Sequence, residues 1–456
     1  MFIEVDTIPV GETIKNGTLF TIVESNNTTY SSHGIHKFPG KFIPHIPRWA
    51  IQQYVGQKEG SNILDPFCGS GTTMLEALLL GHNAYGLDVD PLARLISKVK
   101  TTPISCTDLD TIVETIREKI NKKTSGNFLP DIDNLDHWFT PENTRQLSII
   151  RDVIDEFKSD QTIYQFLLVI FSSILRRVSN ADDQSQKTYV SHTRPKTPPE
   201  AFETFFKALE RRVKAIKTLV GNISEDVSLH IPSNMSALDF DFGFKFDLAI
   251  TSPPYIKSID YIYNQMVEYF WIGDVWGLQT QANQREYKQH FIGTERVKSG
   301  SCTYTFDYLP ELEKKLIDIK KKHKKLETVT RKFFFDMEKH FQLMWNNMKP
   351  GSHYIMVIGN SRIAGQEVPT HQFLGRIAEY SGFTISNVFG YRIRRHYMKF
   401  PRAGRGGIIL IDWILDLQKP SNGQLTLPRA AIIPKSIRDT GDGGGAIVAS
   451  TNKYDK

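Results

Sequence analysis

The stretch Asn62-Ile63-Leu64-Asp65-Pro66-Phe67-Cys68-Gly69-Ser70-Gly71-Thr72-Thr73, running on into Met74–Leu80, reads as strand, glycine-rich turn and helix. A short apolar run bounded by turn residues marks a buried strand of a parallel sheet. Gly69 and Gly71 let the backbone approach a ligand closely, and the helix that follows points its N-terminus at that ligand. No Gly-Lys-Ser/Thr closes the turn, so it is not a phosphate-cradling P-loop, and its spacing is not that of the dinucleotide fingerprint. Asp65, at the strand end, is a hydrogen-bond acceptor and suits an amine better than a phosphate. Ala84–Asp90 reads as the next strand, ending in acids. Asp88 lies about 20 residues past the turn, where such folds offer a carboxylate to ribose hydroxyls. The expected fold class is α/β.

A second stretch, Thr251-Ser252-Pro253-Pro254-Tyr255, follows the apolar run Phe246–Ile250. Two prolines remove two backbone donors and fix φ near −65° at each, so the segment cannot continue as a central strand. It is expected as a stiff loop at the carboxyl end of a strand, where open α/β sheets bind their ligands. Free carbonyls beside the flat ring of Tyr255 suit a planar group bearing an NH2. Taken alone, Pro-Pro-Tyr reads equally well as a rigid turn with a core tyrosine.

With 456 residues, 40% hydrophobic and 23% charged, the chain has the composition of a soluble globular protein. Its net charge of +6 is compatible with a polyanionic partner. Three dispersed cysteines, Cys68, Cys106 and Cys302, present neither a zinc spacing nor a disulfide framework, and no metal site is expected. No apolar run reaches the length of a membrane span and no signal peptide opens the chain, so a cytoplasmic location without membrane contact is expected.

Four segments divide the chain. Residues 1–104 form an N-terminal segment and a cofactor-binding half. Residues 105–230 are helical by periodicity over Leu109–Ile120, Arg145–Phe157, Ile163–Val178 and Ala201–Val220, and read as an insertion with a role in target recognition. Residues 231–436 form a catalytic half with a basic insertion near 279–332, and 437–456 a flexible glycine-rich tail. Arg177, Lys187 and Arg194 in the loop 176–199, and Arg394, Arg395, Arg402 and Arg405 at a hairpin tip, are candidate phosphate contacts.

DPFCGSGTT (65–73), GLDVD (86–90) and TSPPY (251–255), in this order, resemble S-adenosylmethionine-dependent amino-methyltransferases acting on DNA. HKFPGKFIP (36–44) is similar to that family's cofactor-covering segment, and KPG (349–351) followed by a strand to its sixth motif. The resemblance spans roughly residues 33–100 and 232–415. It implies a Rossmann-like methyltransferase sheet with helices on both faces, plus a largely helical insertion. It also implies S-adenosyl-L-methionine as cofactor and double-stranded DNA as partner, with a companion restriction endonuclease left open. On this resemblance Asp65, Phe67, Gly69, Gly71 and Thr72 cradle the cofactor. Asp88 holds its ribose, Asp239 lies near its adenine, and Lys41 and Phe42 cover it. Ser252, Pro253, Pro254 and Tyr255 form the catalytic motif. A serine at the first catalytic position usually accompanies cytosine N4; aspartate or asparagine there accompanies adenine N6. The insertion does not sit where the family keeps its target-recognition region.

The implied reaction extrudes the base from the duplex, stacks it on Tyr255, and draws the two amino hydrogens to Ser252 and the Pro253 carbonyl. Three alternatives are an adenine-N6 DNA methyltransferase, a tRNA guanine-N2 methyltransferase, and a catalytically silent DNA-binding protein with the same fold.

Overall fold

The computed structural model describes residues 2–23, 28–56, 58–183, 187–257, 260–298, 300–393 and 409–422. Arg394, Arg395, Arg402, Arg405 and the tail lie outside the described residues.

The centre is a nine-stranded sheet. In chain order its strands are β1 (Phe2–Val5), β2 (Leu19–Ile22), β3 (Asn62–Asp65), β4 (Asn83–Gly86), β5 (Leu229–His230), β6 (Phe246–Thr251) and β7 (Met348–Gly359). A small separate hairpin, β8 (Ser361–Ile363) and β9 (Gln366–Val368), comes next, and β10 (Thr384–Arg392) and β11 (Ile411–Gln418) return to the sheet. The spatial order is β1-β2-β10-β11-β7-β6-β3-β4-β5. All pairings are parallel except those of β11 with β7 and β10. From β3 the chain steps outward through β4 to β5, then returns to β6 on the other side of β3. That reversal is the switch point where α/β sheets open a crevice.

Side chains alternate across the strands, so the sheet has two apolar faces. Ile63, Leu248, Ile250, Ile355 and Val357 pack under α1 (His45–Tyr54) and α2 (Thr72–Leu79). Leu64, Ala249, Tyr354, Met356 and Ile358 share the opposite core with helices of the second half.

The helical block follows α3 (Pro91–Thr101) and comprises α4 (Cys106–Lys122), α5 (Leu135–Trp138), α6 (Pro141–Asp155), α7 (Gln161–Val178) and α8 (Ala201–Lys217). The expected helices are all present, with ends shifted by a few residues. α9 (Tyr261–Asn264), α10 (Met266–Ile272) and α11 (Gln281–Tyr287) follow the catalytic loop; α12 (Pro310–Lys322) and α13 (Lys324–Asn347) carry the lysine run, and α14 (Thr370–Tyr380) precedes β10. The block shares one continuous core with α3 and α10, through Leu95, Val99, Phe171, Phe270 and Trp271. Its independence as an insertion is therefore limited. Arg151 of α6 is fully buried and donates from both Nη atoms to Asp274 (2.9 and 2.7 Å), tying the block to the segment after α10. No described helix is long and apolar enough to cross a membrane.

Candidate active site

β3 pairs in parallel with both β4 and β6, so three strands end on one edge. The glycine turn, the Asp88 corner and the Pro-Pro-Tyr loop therefore meet. Thr251, the last residue of β6, donates its hydroxyl to Asp65 Oδ1 at 2.6 Å, and the Phe67 amide donates to the same oxygen at 3.1 Å. Asp65 is fully buried, which pushes its carboxyl up to about 6 against the pull of these donors.

Asp88 lies two residues past β4. Its Oδ2 accepts the Gly69 amide at 2.9 Å and its Oδ1 the Asp90 amide at 2.8 Å. Burial and then the neighbouring Asp90 carboxylate raise Asp88 to about 7. Asp90 caps α3, accepting from the Leu92 and Ala93 amides and from the Tyr269 hydroxyl on Oδ1. Its buried Oδ2 has no partner among the described residues.

These residues wall one pocket. It is lined by Lys41, Phe42, Phe67, Gly69, Ser70 and Thr72 on the turn side, by Asp88 and Asp90, and by Ser252 and Pro254 on the catalytic side. Phe38, Tyr261 and Phe291 form a stepped stack within it: Phe38 and Tyr261 are 5.6 Å apart at 21°, and Tyr261 and Phe291 6.2 Å apart at 17°. Flat plates beside two carboxylates, one with an orphaned oxygen, match a nucleoside: rings stack, and ribose hydroxyls have acceptors waiting. The residues fit S-adenosylmethionine by this test.

Three expected cofactor residues stand differently. Asp65 is buried beneath the pocket and does not line it; it locks the two loops together. Gly71 does not line it either. Its φ is +75°, and a Cβ there would come within 2.2 Å of Ser97 Oγ, so this glycine serves the approach of α2 to α3. Asp239 is exposed in a tight turn closed by reciprocal amide bonds with Ser236 (2.9 and 3.0 Å), and the pocket wall there is Ser236–Leu238. Its place just before β6 suggested a strand end, but the turn directs it to solvent. Lys41 lines the pocket and donates to the His33 carbonyl at 3.1 Å.

Within the expected catalytic motif, Ser252 and Pro254 line the pocket; Pro253 is buried between them, and Tyr255 is half-buried beside it, its hydroxyl donating to Asp412 Oδ1 at 2.7 Å. Phe38, Ser70, Tyr261 and Phe291 escaped sequence reasoning because aromatic and small residues look like core. Lys100 escaped too: fully buried, it donates to Ser70 Oγ at 3.3 Å.

Of the candidate phosphate contacts, Arg177, Lys187 and Arg194 are exposed on the helical block. The other cations of that loop turn inward. Arg176 donates to the Asp182 and Lys187 carbonyls, and Lys196 to the Arg176 and Ala181 carbonyls and the Asp183 carboxylate.

Residues 12–98 match a family model described as DNA methylase, of the N6/N4 methyltransferase kind. The chain is 27% identical over 403 residues to the type II methyltransferase M.MvaI of Kocuria varians, covering 83% of this chain and 86% of that protein. It is 24% identical over 463 residues to type II methyltransferase M.BsoBI of Geobacillus stearothermophilus, covering 86% and 87%. A shorter match, 42% identity over 53 residues, joins 12% of this chain to 16% of a tRNA (guanine(10)-N2)-dimethyltransferase of Methanothermobacter thermautotrophicus. These likenesses support an amino-methyltransferase, for which S-adenosylmethionine is the expected cofactor.

Proposed function

We propose that this chain methylates an exocyclic amino group in double-stranded DNA, cytosine N4 in preference to adenine N6. The observation that carries this reading is the hydrogen bond from Thr251 to Asp65, which sets Ser252 and Pro254 in one pocket with Gly69 and Asp88. The preference for cytosine rests on Ser252 at the first catalytic position.

S-adenosylmethionine supplies, when bound, a methyl group on a sulfonium centre. Asp88 would hold the ribose hydroxyls, Phe38, Tyr261 and Phe291 would flank the adenine, and the Gly69–Ser70 turn with Lys41 would meet the methionine end. An exocyclic amine is a poor nucleophile because its lone pair is shared with the ring. The Ser252 hydroxyl and the Pro253 carbonyl accept its two hydrogens and draw the nitrogen toward a tetrahedral shape. The lone pair would then be free to take the methyl group in line, the S–CH3 bonding pair staying on sulfur as a thioether and one amino proton passing to solvent, and orientation would supply much of the rate. The base must leave the helix to reach the loop, and Tyr255 stacks on it. Arg177, Lys187 and Arg194 serve as phosphate contacts. The type II names of the relatives are compatible with a companion restriction endonuclease beside the DNA.

Expressed in a host lacking its own DNA methylases, the protein should deposit N4-methylcytosine, read by mass spectrometry of hydrolysed DNA. N6-methyladenine would move the reading to adenine. Unmodified DNA beside methylated guanosine in tRNA would replace it with the activity named for the shorter match.

A further inference from the structure

Three adjacent strands bring one row of residues together. Tyr391 on β10 stands directly opposite Asp412 on β11, which stands opposite Gly359 on β7. Asp412 is 8% exposed and Tyr391 4%. The Asp412 carboxylate accepts two phenol hydrogens, from Tyr255 on Oδ1 (2.7 Å) and from Tyr391 on Oδ2 (2.9 Å). Gly359 completes the row by having no side chain. A Cβ there would come within 3.1 Å of Tyr255 Cε2 and 2.7 Å of Ile409 Cγ2. The Tyr255 ring thus lies over a vacancy in the sheet, with its hydroxyl tied to the next strand.

Phenylalanine would fill the same space with no hydroxyl to satisfy, so the phenol and its tether are the features to account for. A carboxylate with both oxygens committed to phenols deep in a sheet costs desolvation, which two charge-assisted hydrogen bonds offset. We propose that Asp412 is a positioning residue for the nucleobase site: through the Tyr255 hydroxyl it fixes the plane of the ring on which the extruded base stacks. This rests on the reading of Tyr255 as the stacking side chain.

Phenylalanine at 255 would keep the stack and lose the tether to Asp412.

The test compares Tyr255→Phe, Asp412→Asn and Tyr391→Phe with Tyr255→Ala, each checked for an unchanged melting transition. Tyr255→Phe removes one oxygen and keeps the fold. On duplex DNA, Tyr255→Phe and Asp412→Asn should each lower kcat about tenfold, the size of one lost charge-assisted hydrogen bond, while the KM for S-adenosylmethionine stays put. The double variant should be no worse than either single, because both cut the same tether. With 2-aminopurine at the target position, both variants should still raise fluorescence, showing extrusion without correct seating. Wild-type kcat in Tyr255→Phe and Asp412→Asn, with Tyr255→Ala inactive, overturns the positioning role and leaves the stacking role intact. Multiplying losses in the double variant overturn the shared tether. Full activity in Tyr255→Ala overturns the stacking reading itself.

Discussion

At the residue scale, the pocket concentrates acids whose protons are held more tightly than usual. Asp88 is raised to about 7 by burial and by Asp90, although the Gly69 and Asp90 amides and the Arg94 charge pull the other way. Arg94 itself donates to the Asp88 and Val89 carbonyls. In the free protein the ionised form of Asp88 is therefore disfavoured below neutrality. A ligand that donates hydroxyl hydrogens to this carboxylate needs the ionised form, so its binding releases a proton below about pH 7. Affinity for S-adenosylmethionine should rise as pH increases from 6 toward 7 and level off above it. In Asp88→Asn the affinity should be weaker and flat with pH. Calorimetric titration at several pH values, in buffers of different ionisation enthalpy, reads both the affinity and the proton. A slope that survives in Asp88→Asn would assign the proton to another group.

At the scale of elements, three side chains of the segment 30–48 converge on a single carboxylate. Glu76, fully buried on α2, accepts from the Tyr30 hydroxyl (2.5 Å), His33 Nε2 (2.7 Å) and Arg48 Nε (2.7 Å). Burial keeps His33 down to about 4, so its ring is neutral at pH 7 and Arg48 carries the countercharge. Glu76 stays below the ordinary carboxylate range through its His33, Arg48 and Tyr30 partners, against the opposing effect of burial. These bonds strap residues 30–48 to the helix that starts at the glycine turn, and Phe38, Lys41 and Phe42 on the strap are pocket wall. Glu76→Gln leaves Arg48 without its charge partner and Tyr30 with a weaker acceptor. Stability should fall by about 1–2 kcal/mol, because Arg48 is 41% exposed and water takes over part of its pairing, measured by denaturant unfolding. Cofactor affinity should fall with it, while Asp412 and the catalytic loop are untouched. The strap was legible as a Pro-rich covering segment, but its anchor was not. Glu76 sits in an apolar helix, and only the fold brings three donors from residues 30–48 onto it.

At the scale of the molecule, the helical block belongs to the catalytic body. Trp271 of α10 is fully buried against Phe128, Phe139 and Phe171, all from the block. Arg151 adds the bidentate pair to Asp274. Removing the block would strip α3 and α10 of their cover and expose a large apolar surface next to the pocket. A chain with residues 106–223 replaced by a short Gly/Ser linker should fail to unfold cooperatively and should bind no cofactor. A cooperative melt with cofactor affinity intact would mean that the block is a separable module. The block also carries Arg177, Lys187 and Arg194 on its surface, so the proposed phosphate contacts and the pocket share one scaffold.

Sequence alone determined what local stereochemistry demands. Gly69 and Gly71 take left-handed backbone, the prolines after Thr251 end a strand, and apolar periodicity marks strands and helices, because each of these constraints acts between near neighbours. The meeting of the turn and the catalytic loop also followed, since parallel strands end on the same edge. Tertiary structure alone decided which distant side chains converge. Phe38, Tyr261 and Phe291 stack from three separate segments, Asp412 reaches Tyr255 across β7, and Asp239 turns away while Ser236–Leu238 face the pocket. Burial, pairing and facing depend on the packing of elements far apart in the chain, and residue spacing carries no record of that.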